Sequence, residues 1–225
     1  MGNFLRMLVG IVLLPLCWSF CRVFIDALVC ATGAENAFSV ETCSLLGGMG
    51  AFALCWATIS HPVRTYVLGH ELTHALWGLL FGARPSDVRV SGSGGSVRLT
   101  KSNVIITLAP YFFPFYTFVV IAVALMTYAF FRPLPVLPLW MFAIGFTWAF
   151  HVLFTLETLS HRQPDVRLYG RLFSWSIILL VNISLVLLWL VFTTPFTFEA
   201  LVSAISDRTL SAYAGVGETI LRYIR

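Results

Sequence analysis

Charge is what this chain has least of. Charged residues fill 11% of its 225 positions, against about 25% in a soluble globular protein. Hydrophobic residues fill 59%, and mean hydropathy is +0.88. That balance, with several long apolar runs, excludes an ordinary water-soluble domain and predicts an integral membrane protein. Lysine is nearly absent: Lys101 stands alone among 14 basic residues. The arginines are scattered between apolar runs and form no basic face, so the net charge of +4 carries no nucleic-acid signal. Cysteine is confined to five positions, Cys17, Cys21, Cys30, Cys43 and Cys55. An odd number, mostly in apolar segments, implies no disulfide framework and no second metal site; these read as small hydrophobes. Internal repeats and low-complexity segments are lacking. The first apolar stretch is interrupted by Arg22 and Asp26, so it reads as a retained span and not a cleaved leader. Arg6 stands where a myristoylation site needs Ser or Thr.

What is present is a series of six apolar segments, at about 4–30, 43–59, 65–81, 104–131, 139–159 and 172–194. They predict an α-helical protein with about six transmembrane helices. In the first, Arg22 and Asp26 lie four apart and can pair along one helix face. His61-Pro62 closes the second. The third is short for a crossing of roughly 20 residues. The fourth contains Pro110 and Pro114, which loosen a helix. One membrane domain, 1–195, accounts for these segments. The tail, 196–225, alternates Leu201, Ile205 and Ile220 with Glu199, Asp207 and Arg222, as an interfacial amphipathic segment does.

A different pattern follows the third segment. Residues 87–91 alternate, Gly92-Ser93-Gly94-Gly95 turns, and residues 96–101 alternate again, which predicts a β-hairpin over 86–101. One face carries Val88, Val90, Val97 and Leu99; the other carries Arg89 and Arg98. The basic residues Arg84, Arg89, Arg98 and Lys101 here, with Arg162, Arg167 and Arg171 after the fifth segment, place both connections in the cytoplasm by the positive-inside rule. That orientation puts the N-terminus outside, Glu35 and Glu41 inside, and Arg132 and the tail arginines outside. Arginine-heavy, lysine-poor usage points to a GC-rich bacterial genome, and the expected location, the bacterial inner membrane, follows from that.

The chemistry is concentrated in His70-Glu71-Leu72-Thr73-His74, within an expected helix over 65–82. Histidines four apart share one helix face and can share one metal ion, with Glu71 beside it to take a proton from water. A carboxylate in an apolar helix is costly unless it is paired or functional. A catalytic zinc site needs a third protein ligand and an open position. The region 157–171 and the segment before it offer His151, Glu157, His161 and Asp165, and spacing alone leaves that choice open. Asp165 follows Pro164, where a helix breaks.

The run from His70 to Gly78, HELTHALWG, the Gly-rich hairpin directly after it and a later acidic residue near the start of a span resemble the site-2 protease family of intramembrane zinc metallopeptidases, in its small bacterial branch. The resemblance covers His70 to Gly170. It implies one Zn²⁺ held by His70, His74 and Asp165, with Glu71 as general base. It also implies a membrane-embedded protein substrate, held as an added strand along the hairpin of Val88, Val90, Val97 and Leu99. The chain departs from the better-known members: Asp165 is followed by Val166 instead of glycine, and no Asn-x-x-Pro stretch supplies an oxyanion-stabilising side chain. The competing reading is a catalytically inactive zinc-binding scaffold for partner helices. A metal transporter is disfavoured because only one ligand cluster is present.

Overall fold

The structure is a computed structural model that describes residues 2–33, 38–59, 61–92 and 94–224. Ser93 of the expected turn and Glu35 lie outside these. The chain divides into two compact units, Phe38–Gln163 and a second built from Met1–Ala37 with Pro164–Arg225.

The Phe38–Gln163 unit contains the motif. Its helices, which follow α1 (Asn3–Thr32) in the sequence, are α2 (Val40–Thr58), α3 (Val63–Leu80), the short α4 (Val104–Leu108), α5 (Phe115–Phe130) and α6 (Leu137–Ser160). Helix α2 begins at Ser39, whose hydroxyl accepts from the Thr42 N–H. It packs on α6 through two glycines. A Cβ at Gly48 would lie 2.0 Å from the Phe142 carbonyl oxygen, and one at Gly145 would lie 2.0 Å from that of Leu45. Only glycine lets the two backbones meet this closely. Gly48→Ala is therefore expected to lower stability by about 1–3 kcal/mol in denaturant titrations in mixed micelles. Gly50→Ala, with nothing within 4 Å of its Cβ, should be silent. Phe52, Tyr66, Val67, Ala149, Phe150 and Phe154 form the buried cluster that ties α2, α3 and α6 together.

Helix α3 ends in a Schellman cap. Ala83 donates to the Gly78 carbonyl and Gly82 to that of Leu79, with Gly82 at φ +70°. The cap turns the chain into the hairpin of β1 (Pro85–Ser91) and β2 (Gly94–Leu99). Pairing is antiparallel, with Val90 opposite Gly95 and Pro85 opposite Leu99. Between Ser86 and Arg89 the register shifts, because Asp87 and Val88 together face Val97. Asp87 takes φ +50° at this bulge and its carboxylate pairs with Arg98 at 3.1 Å. The expected faces hold: Val88, Val90, Val97 and Leu99 share one side.

Asn103 caps α4, its side chain accepting from the Ile106 N–H at 2.9 Å. A 3₁₀ turn, Ala109–Tyr111, follows, and Pro114 then starts α5. The two halves of this segment bend by 83°, since proline at the break has no N–H to continue the ladder.

The other unit holds α1 (Asn3–Thr32), α7 (Pro164–Tyr169), α8 (Arg171–Thr193) and α9 (Phe198–Ile224). Val23, Ala27, Ile183, Leu187, Leu190 and Leu201 make its core. The tail is one helix, α9, packed on α1. Asp26 does not pair with Arg22: it pairs with Arg208 of α9, while Arg22 lies over the Trp18 ring. Docking of α9 brings a guanidinium to Asp26 that the local spacing does not reveal. All five cysteines are free.

The six apolar segments of the sequence become four helices long and apolar enough to cross a membrane, α1, α2, α6 and α8, or five if the bent α4–α5 pair is one span, among the described residues. The motif helix α3 is not among them. Arg64, His70, Glu71, His74 and two threonines dilute its apolar character.

Candidate metal centre

Helix α3 places His70, Glu71 and His74 within little more than one turn. The two imidazoles stand edge to face, with ring centroids 4.9 Å apart and planes at 79°. His74 Nδ1 lies 2.9 Å from the Ile106 carbonyl oxygen. A carbonyl only accepts, so Nδ1 carries the hydrogen and donates. That leaves the Nε2 lone pair as the metal-binding atom, the usual arrangement behind a ligating histidine. The Asn103 cap holds the turn that carries this carbonyl, and Ile106 is itself 1% exposed. His70 is seated by aromatic neighbours: Tyr111 at 5.4 Å, edge-on, and Tyr66 at 5.9 Å.

Asp165 sits in the first turn of α7, directly after Pro164. His70, His74 and Asp165 are a group of ligand-bearing side chains that could hold a metal ion. All three residues are half-buried. Two neutral imidazoles and one carboxylate are a donor set that suits zinc and leave a fourth position open. The residues present therefore fit the ion that the sequence implies.

The other candidates for third ligand are used differently. The Glu157 carboxylate lies 3.7 Å from His61 Nδ1, and the Glu157 backbone oxygen accepts from His161 Nδ1 at 2.8 Å. His151 is buried and lines a small pocket with His70, Thr73 and Tyr116, and its Nε2 has no hydrogen-bond partner among the described residues. It does not join the three-atom group.

Glu71 is only 6% exposed. The hairpin reaches it through Gly95: a Cβ there would lie 2.7 Å from Glu71 Cγ, 2.8 Å from Glu71 Oε1 and 2.6 Å from Val67 Cγ1. Farther along β2, Leu99 packs on Gly78 of α3. Of the four hairpin residues read as substrate-binding, Val97 and Leu99 are thus half-buried on the side facing α3, and Val88 and Val90 are exposed.

Three contributors carry no mark in the sequence. Gly95 looks like one of several turn glycines. The Ile106 carbonyl is a backbone atom. Tyr116 is one aromatic among many, yet its hydroxyl donates to the Thr65 carbonyl at 2.7 Å and its ring fills the space beside Gly69, next to His70.

No family model, curated protein or solved structure matches this chain.

Proposed function

We propose that this protein is a zinc-dependent intramembrane endopeptidase of the site-2 protease type, acting on a membrane-embedded protein in a bacterial inner membrane. The observation that carries the reading is the His70–His74 pair on one turn of α3 beside a buried glutamate, with Asp165 as the third residue of a group that could hold a metal ion. The ion, when bound, supplies Lewis acidity, which makes water acidic near neutral pH and polarises a peptide carbonyl.

The rest belongs to the chain. Glu71 takes a proton from water at its carboxylate as the oxygen adds to the peptide carbon. It then delivers that proton to the leaving nitrogen as the C–N bond breaks. His74 is oriented by the Ile106 carbonyl, so its ligating nitrogen needs no rearrangement before chemistry. A helical substrate hides its carbonyls in its own hydrogen bonds and must unwind to be cut. The hairpin beside Glu71 offers backbone donors and acceptors to an unwound segment, as strand addition requires. The 83° bend between α4 and α5 brings irregular backbone to this region, which is tolerated at membrane depth only where protein or water surrounds it.

Metal content of purified wild type and Asp165→Ala tests the ligand set. Zinc should fall from about one ion per chain to a small fraction of that in the variant, with unchanged expression and helicity. Equal zinc in both would remove Asp165 from the site and shift the third ligand to His151, Glu157 or His161. Loss of casein cleavage in detergent should follow the zinc. An inactive scaffold would bind zinc in the wild type and cleave nothing.

A further inference from the structure

The Phe38–Gln163 unit contains a cavity of about 520 Å³ lined by Phe52, Cys55, Trp56, Tyr116, Val120 and Phe150, among others. That volume falls in the range of pockets built to hold a ligand. The cavity shares two side chains, Tyr116 and Phe150, with the small pocket of about 20 Å³ at His70. These two rings meet edge to face at 5.6 Å. Tyr116 is latched to α3 by its hydrogen bond to the Thr65 carbonyl and packs on Gly69, one residue before His70. A two-ring wall therefore separates the large cavity from the metal-binding helix turn.

Three polar groups of the lining, on Tyr116, Thr147 and His61, are already committed. The Tyr116 hydroxyl donates to Thr65, and the Thr147 hydroxyl donates to Ala143. His61 stacks on Trp56 at 3.7 Å and its Nε2 donates to the Trp56 carbonyl. Apart from Thr65 and the Cys55 thiol, what remains to face an occupant is aromatic and aliphatic surface. A charged or strongly polar group would be desolvated there without compensation.

We propose that this cavity is the specificity pocket of the site. It receives a bulky apolar side chain of the substrate next to the cleaved peptide, with Tyr116 and Phe150 as the wall that side chain passes. The assignment rests on the protease reading and deepens it: the substrate is an unwound apolar segment with a large aliphatic or aromatic residue at the cut. Adjacency to the His70 pocket across this shared wall favours a substrate side chain over an unrelated lipid.

Cys55 in the lining is a native reporter, and Cys43, exposed on the same helix, is its internal control. The full chain, loaded with Co²⁺ in detergent, is treated with acetohydroxamate or octanohydroxamate. The cobalt spectrum reports chelation, and mass spectrometry reports N-ethylmaleimide labelling. Both hydroxamates should shift the cobalt bands. Only octanohydroxamate should slow labelling of Cys55, by about tenfold, with Cys43 unaffected. Val120→Trp, which fills the cavity, should abolish that protection and keep the cobalt shift. A cobalt shift with octanohydroxamate and no change at Cys55 overturns the pocket. So does equal protection by 1-octanol, which has no chelating group and would mark a plain hydrocarbon site. Absence of any cobalt band overturns the metal reading itself, and the pocket assignment with it.

Discussion

Glu71→Gln is expected to keep its metal and lose peptide cleavage by about 10²–10⁴-fold, the usual contribution of a positioned general base. The amide matches the carboxylate in size, so the packing against Val67 and Gly95 is preserved. It cannot accept a proton from water at neutral pH. Glu71 is not in the group of ligand atoms formed by His70, His74 and Asp165, so zinc content should match the parent chain. That pairing of results separates the proposed role from two others. If Glu71 were a ligand, zinc would fall. If it were a buried structural carboxylate, cleavage would change little and the loss would fall on thermal stability instead. Unchanged cleavage in the variant would remove the hydrolytic mechanism.

The chemistry of this site was legible because it is local. Histidines at 70 and 74 meet whenever residues 63–80 form a helix, and the helix follows from apolar residues broken by no glycine pair or proline. The hairpin was legible for the same reason: alternation over 87–91 and 96–101 fixes its faces, and the bulge at Asp87 leaves them in phase. Long-range pairings were not. Arg208 lies 182 positions from Asp26, and nothing near either residue announces the other, whereas Arg22 stands at ideal helical spacing. The choice of third ligand was of the same kind: four residues had suitable chemistry, and nothing local in the sequence ranks them. The count of six spans includes α3 because Leu, Ala and Trp around the motif suggest a membrane helix, while Arg64, the two histidines and Glu71 lower its mean hydropathy. The prolines of the fourth segment were visible, but not that Pro114 would set an 83° bend.

Gly95→Ala should reduce cleavage by about 100-fold while keeping zinc content and the fold, at some loss of stability. The sequence presents Gly95 as the last residue of a turn. In the fold it is a paired strand residue, opposite Val90, and its missing side chain is what lets β2 lie against Glu71. A methyl group there would sit 2.6 Å from Val67 Cγ1 and 2.7 Å from Glu71 Cγ, closer than carbon atoms approach. Both obstacles are side chains, so the fold survives by moving them. Displacing Glu71 carries the functional loss, since misplacing a catalytic group by about 1 Å costs on the order of 10²-fold. Gly92→Ala is the matched control: its nearest neighbour is Arg64 Nε at 3.8 Å, and activity should be unchanged. Adding Val67→Ala to Gly95→Ala relieves the closest contact but not the one at Glu71, so it should recover stability without recovering cleavage. Full activity in Gly95→Ala would mean that the hairpin does not bear on the glutamate, and strand addition beside Glu71 would lose its physical basis.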